Sequence, residues 1–365
     1  MRGQDSNQGS MVVLMNPEDR IPGDHPLRGI RVLADEVLGD LSPLFERMYS
    51  HTGRPSIPPE RLLASTLLMA LYSIRSERMF CEQLEYNLLF RWFLHMDMEE
   101  PAFDHSVFSA NRARLLEHDA AGEFFRRVAL AAKRRKLTSD EHFTADGTLI
   151  EAWASMKSFR PKGEKPEDRP PADDPGNPTV DFHGEKRSNA THESTTDPEA
   201  RLMRKAKGKE AKLSFSLHAL MENRNGLIVD FRVDEANGTA EREVAVDMLD
   251  QSLPGTRRIT LAADKAYDTA EFVAHCRERN VTPHVARNLE RPGGSAIDQR
   301  TARHKGYGLS QRKRKRVEEI FGWVKTVACF HRTRYKGKAR SQLWAYLVGA
   351  AYNLLRMAKL LAAPA

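Results

Sequence analysis

Three acidic residues far apart in the chain, Asp146, Asp264 and Glu318, have the types and settings that metal chemistry on phosphodiesters requires. Asp146 lies in HFTADGTLI and Asp264 in ADKAYD, each expected near the end of a short β-prone run. Glu318 lies in QRKRKRVEEIFGWVK, residues 311–325, whose pattern predicts one basic helix. On such a helix Arg314, Glu318 and Lys325 would fall within about 40° of one another, so one acid is flanked by two cations. Carboxylates prefer hard cations such as Mg²⁺ or Mn²⁺. Two such ions, about 3.5–4 Å apart, can both generate a nucleophile and stabilise a departing 3′ oxygen. In that arrangement Asp146 bridges both ions, Asp264 holds one and Glu318 the other. Three carboxylates against two divalent ions leave a positive balance where a phosphate can sit.

Each acid also has an ordinary explanation. Asp146 precedes Gly147, and Asp-Gly is a common turn pair. Asp264 could cap the turn that follows its strand. Glu318 could be a plain partner for Arg314 four residues earlier, worth a few tenths of a kcal/mol. Neighbouring Glu319 lies about 100° round the helix from Glu318 and lines up less well with Lys325. What strengthens the metal reading is the joint order: acid on a strand, acid on a strand, acid on a basic helix.

The elements that must position these residues fall into two parts. Residues 27–137 read as a helical domain for dimerisation or DNA binding: Leu27, Ile30, Leu33, Val37 and Leu41 recur at helical spacing, and Ser56 with Pro58 and Pro59 opens a second helix. Residues 1–26 are expected to be flexible. From residue 138 the pattern alternates. A strand ends near Asp146 and a helical-looking EAWASMKSF follows. Strands over residues 213–221 and 227–234 are joined through Asn225-Gly226, with the positive φ a hairpin needs. A helix including residues 243–253, a strand over 258–263, a helix over 269–280 and a strand over 282–286 come next. The basic helix and a final apolar-striped helix, residues 343–361, end the chain. That order is the order of an α/β RNase H-like domain, a mixed sheet flanked by helices, here over residues 138–365. Residues 160–212 lack periodicity and hold seven of the 19 prolines, with 12 basic and 11 acidic residues, so they read as a flexible insertion.

Charge distribution points to the partner. The chain carries a formal +7, yet residues 300–340 alone contain 14 Lys or Arg against Glu318 and Glu319, and the remainder holds 43 basic and 48 acidic residues. Positive charge is therefore gathered around the predicted helix, as binding to a phosphate backbone requires. Ile320, Phe321, Trp323 and Val324 interleave the run, so it belongs to a packed element. Trp153 and Trp323 could stack on a base, but core packing is the better expectation for both. His218, in LSFSLHAL, reads as a strand residue, and Tyr267 and Asp268 could order the loop after Asp264. The three cysteines form no CxxC or Cys/His spacing, which argues against zinc or disulfides and fits a reducing cytosol. No apolar run reaches membrane-span length, and no Gly-rich phosphate loop implies a nucleotide cofactor.

The motifs ADGTLIEAW, ADKAYD and RKRVEEIFGWVK together resemble those of bacterial insertion-sequence DDE transposases, and insertion-sequence family five in particular. The resemblance runs from about residue 27 to residue 361. It matches Asp146, Asp264 and Glu318 to the DDE set, with separations of 118 and 54 residues. Arg314 and Lys325 match the Arg and Lys of a Tyr-Arg-Glu-Lys motif. Its Tyr position falls on Gln311, and Ala266 stands where glycine is commoner. The resemblance implies metal-dependent cleavage at element ends followed by transfer of the 3′ hydroxyl into target DNA. It also implies a homodimer that pairs two terminal inverted repeats of double-stranded DNA, with Arg314 and Lys325, beside Arg312, Lys313 and Arg316, on phosphates. A metal-dependent nuclease without strand transfer, and a non-catalytic DNA-binding protein, are the rival classes.

Overall fold

In the computed structural model, which describes residues 16–363 except 51, 54, 164–180, 183–184, 206–207, 254 and 256, a mixed sheet forms the centre. Its strands are β1 (His142–Glu151), β2 (Arg201–Arg204), β3 (Ala211–Glu222), β4 (Ile228–Glu235), β5 (Ile259–Ala263) and β6 (Val281–Val285). The order is β6-β5-β1-β3-β4, with β2 beside the first residues of β3. β1, β3 and β4 form an antiparallel meander, while β5 and β6 run parallel to β1. Parallel neighbours need crossovers, and the chain supplies helices for them.

The helices are α1 (Pro26–Gly39), α2 (Pro59–Leu71), α3 (Glu77–Tyr86), α4 (Ser106–Glu117), α5 (Ala120–Arg134), α6 (Ala240–Ser252), α7 (Ala270–Glu278), α8 (Lys305–Arg314), α9 (Arg316–Thr326) and α10 (Lys338–Ala362). Helices α6 and α7 cover one face of the sheet, burying Phe143, Ala145, Leu220, Leu261 and Ala263. The opposite face shares a continuous core with α1, α2, α5, α9 and α10. This is an α/β RNase H-like arrangement with a helical N-terminal region.

Helix α10 ties the two parts together, and its amides also protect an edge. Gln342 accepts from Val233 N–H (2.6 Å) and donates to Phe231 C=O (2.9 Å). Asn353 accepts from Ile228 N–H (2.9 Å) and donates to Ile228 C=O (2.8 Å). Eleven residues of helix rise roughly 16 Å, and the four to five strand residues they serve span about the same. The outward backbone groups of β4 are thus satisfied by side chains, where an open edge would invite another strand.

Several expectations need correction. β1 does not end near Asp146: it continues through Gly147 to Glu151, paired along its length with β3. EAWASMKSF is not a helix. Glu151 N–H donates to His331 C=O, Trp153 N–H to Thr333 Oγ1, and Arg332 takes the Ala152 and Trp153 carbonyls. Those bonds leave the backbone nothing for a helical ladder, and only a 3₁₀ turn forms, Met156–Ser158. Within 160–212, the described residues include β2 and a small pair, Phe159–Pro161 with His192–Ser194. Residues 1–15 lie outside the described residues. Beyond them, Ile21 is buried and Glu18 accepts from Trp92 Nε1 (2.5 Å), so this part of residues 1–26 packs on the helices. In the hairpin, Gly226 takes the positive φ (74°), while buried Glu222 accepts from the N–H groups of Arg224, Asn225 and Leu227.

Candidate active site

β1 is the central strand, and its register with β5 fixes the two aspartates. His142, Phe143 and Thr144 stand opposite Thr260, Leu261 and Ala262. Two residues further on, Asp146 comes level with Asp264, on the same side of the sheet. Asp264 sits where β5 ends, and its Oδ1 accepts from Ala266 N–H (2.8 Å), so it does cap the following turn, Lys265–Tyr267. Its other oxygen takes part in no such bond. Asp268 is buried and accepts from Asn288 N–H (2.6 Å) and Ala296 N–H (2.9 Å), so it fixes the loop after β6 rather than the loop after Asp264.

Asp146 is mostly buried, and its Oδ1 accepts only from its neighbour Gly147 N–H (2.9 Å). Burial pushes its carboxyl up to about 6 against that bond; Asp264 and Glu241 push it further up, and Arg314 opposes them. Glu241, in the first turn of α6, is itself raised by burial and then by Asp264. Sequence reasoning missed Glu241, because an acid in a helix's first turn is commonplace. The signal becomes visible only once α6 is laid on the sheet beside Gly147.

The predicted basic helix is two helices, broken at Lys315, which closes α8 and opens α9. The helical wheel drawn across residues 311–325 therefore does not hold, and among the described residues Arg314 and Glu318 form no ion pair. The charge of Arg314 acts on Asp146, and among the described residues its buried Nε has no hydrogen-bond partner. Gln311 Nε2 donates to His284 C=O on β6. With the Ser310–His284 (2.7 Å) and Tyr307–Val285 (2.9 Å) bonds it anchors α8 to the sheet. Lys325 donates to Thr148 Oγ1 (2.6 Å), on the same strand face as Asp146 and two residues beyond it. Burial, and then Lys205, lower its affinity for protons. Glu318 and Glu319 are exposed in the first turn of α9. Arg312 is exposed and Lys313 half-buried, whereas Arg316 is committed to Arg224 C=O (2.7 Å) in the hairpin.

The structure thus brings together Asp146, Asp264, Glu241 and Arg314, with Lys325 nearby. Among the described residues, no three His, Cys, Asp or Glu side chains converge into a set that could hold an ion as they stand. His218 is fully buried beside this cluster, and burial pushes its imidazole down to about 4, so it is neutral at pH 7. Trp153 is half exposed, with Lys336 Nζ 5.1 Å from its ring centroid, contrary to core packing. Trp323 is partly buried, edge-on to Tyr352.

Two family models match. Residues 15–114 match a transposase domain (DUF772), and residues 182–354 match a transposase DDE domain, which includes Asp264 and Glu318 but begins after Asp146. No curated protein matches. Among solved structures, a piggyBac transposase synaptic complex with hairpin DNA is 11% identical, with a TM-score of 0.40 over 90% of this chain and 73% of that one. A Mos1 strand transfer complex is 12% identical, with a TM-score of 0.20 over 85% and 79%. A Mos1 mariner paired end complex with Mn is 11% identical, with a TM-score of 0.20 over 92% and 96%.

Proposed function

Because residues 15–114 match a transposase domain and residues 182–354 a transposase DDE domain, we propose that this chain is an insertion-sequence DDE transposase, which cleaves phosphodiesters at the ends of its element and joins the freed 3′ hydroxyl to target DNA. The branch proposed is insertion-sequence family five. The observation that carries this reading is the placement of Asp146 level with Asp264 on neighbouring parallel strands, inside a cluster of acids that has too little positive charge to balance it.

Asp146 and Asp264 have the donor chemistry of a divalent-metal site. Its donors are carboxylate oxygens, and Asp146 and Glu241 form no ion pair among the described residues. Asp146 and Asp264 would hold the ions, two being proposed, and Glu318 would supply the third carboxylate from α9. Bound there, Mg²⁺ or Mn²⁺ would acidify a water and neutralise the departing oxygen. The chain's own groups do the rest. The sheet keeps Asp146 and Asp264 at fixed separation. Lys325, held by Thr148, and Arg314, without a partner at Nε, present positive charge to the phosphates that flank the scissile bond. Water oxygen attacks phosphorus and the 3′ oxygen leaves. That 3′ hydroxyl then attacks a target phosphodiester and displaces a second 3′ oxygen.

The proposed setting is a homodimer on terminal inverted repeats in the bacterial cytoplasm. Residues 27–137 and the basic surface of α8 and α9, Arg312 and Lys313 included, are assigned to DNA. Among the described residues no helix is long and apolar enough to cross a membrane. The test uses purified protein, labelled terminal repeats, and Mg²⁺ or Mn²⁺, with Asp264→Ala beside wild type. Nicking and joined products should appear with wild type and vanish in the variant. Nicks without joined products from a pre-cleaved end would make the protein a nuclease. Equal activity in Asp264→Ala would sink the site assignment.

A further inference from the structure

The sheet face that carries Asp146 and Asp264 continues to the other end of the same strands. Four residues before Asp146, about 13 Å along β1, His142 stands level with Thr260, and Thr260 with Thr282, so the three share that face. There the starts of β1, β5 and β6 meet the last turn of α7 and the first turn of α8 around a groove of about 580 Å³. Arg258, Arg277, Arg300, His142 and His304 line it, and no Asp or Glu does. Arg277 is paired with Asp298 (2.7 Å). Arg258 and Arg300 are exposed, and among the described residues neither forms a hydrogen bond or an ion pair. Three guanidinium groups against one carboxylate partner leave the groove two positive charges in excess before any histidine is protonated.

Helix α8 leads from this groove toward the aspartates. Gly306 lines the groove, whereas Gln311 bonds His284 C=O, which is level with Ala262 and two residues short of Asp264. Tyr307, Ser310 and Gln311 hold the inner side of the helix to β6. Lys305, Gly308 and Arg312 recur at three- and four-residue steps on the outer side, and all but Gly308 carry positive charge into solvent. A Cβ at Gly308 would meet nothing within 4 Å. Glycine weakens a helix relative to alanine, and here it leaves the space between two cations open to close approach.

We infer that the groove and the outer side of α8 form one phosphate track for double-stranded DNA, with Arg258 and Arg300 as its far anchors. The inference rests on the proposal that this protein acts on DNA. A free phosphate would need the groove alone. The cations that continue along α8, on the side of the sheet that carries the aspartates, suit a ligand whose phosphates repeat along its length. One strand of a duplex carries a phosphate every 3.4 Å or so of its axis, so about 13 Å places the groove roughly four nucleotides from the scissile bond. Contacts of this kind fix the register of the duplex without reading its sequence.

The experiment follows binding of the full chain, in EDTA, to a fluorescein-labelled DNA duplex by anisotropy across a salt series, with a thermal melt of each variant. Arg258→Gln and Arg300→Gln should each weaken binding several-fold and lower the salt slope by about 1, with melts unchanged. Arg279→Gln, an equal change of charge at a residue paired with Asp250 of α6, should keep the wild-type slope. Gly308→Glu should weaken binding about tenfold or more while its melt stays level or rises, since the side chain enters open space and a better helix former replaces glycine. Wild-type slopes for Arg258→Gln and Arg300→Gln, beside a reduced slope for Arg312→Gln, would overturn the groove and leave the rest of the basic surface standing. An equal loss in Arg279→Gln would mean that net charge alone is at work, which also overturns it. A wild-type melt raised by inorganic pyrophosphate, with no rise in the two groove variants and no change in their DNA binding, would give the groove to a small phosphate ligand instead. Weakened DNA binding in the groove variants, with no Mg²⁺-dependent nicking by wild type, would keep the track and remove the transposase reading.

Discussion

Replacing Asp146 with Asn should stabilise the metal-free protein, against the usual effect of changing a mostly buried strand residue. Burial, followed by Asp264 and Glu241, raises its carboxyl from the ordinary 3.8 to about 6. The folded state therefore binds more protons than the unfolded state between about pH 4 and pH 6, and stability falls as pH rises through that window. Two pH units at about 1.36 kcal/mol each give a loss of about 3 kcal/mol above pH 6. Because Arg314 opposes the shift and part of it would relax in the variant, this figure is a ceiling. Asn carries no charge, so the advantage of Asp146→Asn over wild type should grow from near zero at pH 4 toward that ceiling at pH 7. Urea melts in EDTA at pH 4.5, 5.5 and 7.5 measure it. Saturating Mg²⁺ should shrink that advantage, since wild type gains about 2.7 kcal/mol at a hundred times Kd and the variant gains less. A variant less stable than wild type in EDTA at pH 7.5, or a difference that does not change with pH, would refute the argument.

Gly147→Ala should destabilise by about 1–3 kcal/mol in the same melts, because its methyl would press on Glu241 and His218 at about 3 Å; an unchanged melt would mean the close approach is absent. Asn353→Leu should cost about 1–3 kcal/mol for each backbone group of Ile228 left unpaired, and should promote association through the bared β4 edge, seen by light scattering. Lys325→Met should cut cleavage and reduce the salt slope of DNA binding by about 1, measured by fluorescence anisotropy against salt concentration. Wild-type binding itself should fall by roughly 10³ or more between 50 and 200 mM salt if six or more phosphates are engaged, and a flat response would exclude the basic surface as the DNA contact.

The strands buried on both faces were readable from their apolar runs: residues 213–221, 227–234, 258–263 and 282–286 each fall within a residue or two of β3, β4, β5 and β6. Asp264 stood out for the same reason, as a charge at the end of such a run. The far half of β1 was not readable. Asp146-Gly147 has the composition of a turn, and only the twelve-residue partner β3 holds it extended. The break at Lys315 has no Pro or Gly to announce it, and it arises where α8 is tied to β6 while α9 is tied to β1 and the hairpin. Gln311, a departure from the motif by residue type, occupies its position by bonding the strand backbone. Glu241 comes close to Gly147 through three-dimensional approach alone, and no spacing along the chain could reveal it.

The cost worked out for Asp146 also bears on how the proposed site would bind cations without a preformed cage. Neighbouring strands lie about 4.8 Å apart, so carboxylates at level positions on β1 and β5 cannot drift away from each other. The sheet is held there by apolar cores on both faces, far larger in energy than the repulsion it must contain. In the metal-free protein ionised Asp146 costs up to about 3 kcal/mol, from burial first and from neighbouring acids second, and a divalent ion at the proposed site would offset that amount. At 1.4 kcal/mol per tenfold, this is about a hundredfold in affinity. That gain would be lost if cations of the chain neutralised the acids first. Lys325 is instead drawn off to Thr148 and Arg316 to Arg224, while Arg314 acts on Asp146 from α8. In the proposed mechanism the separation at Lys315 would leave Asp146 and Asp264 to metal and Lys325 to phosphate.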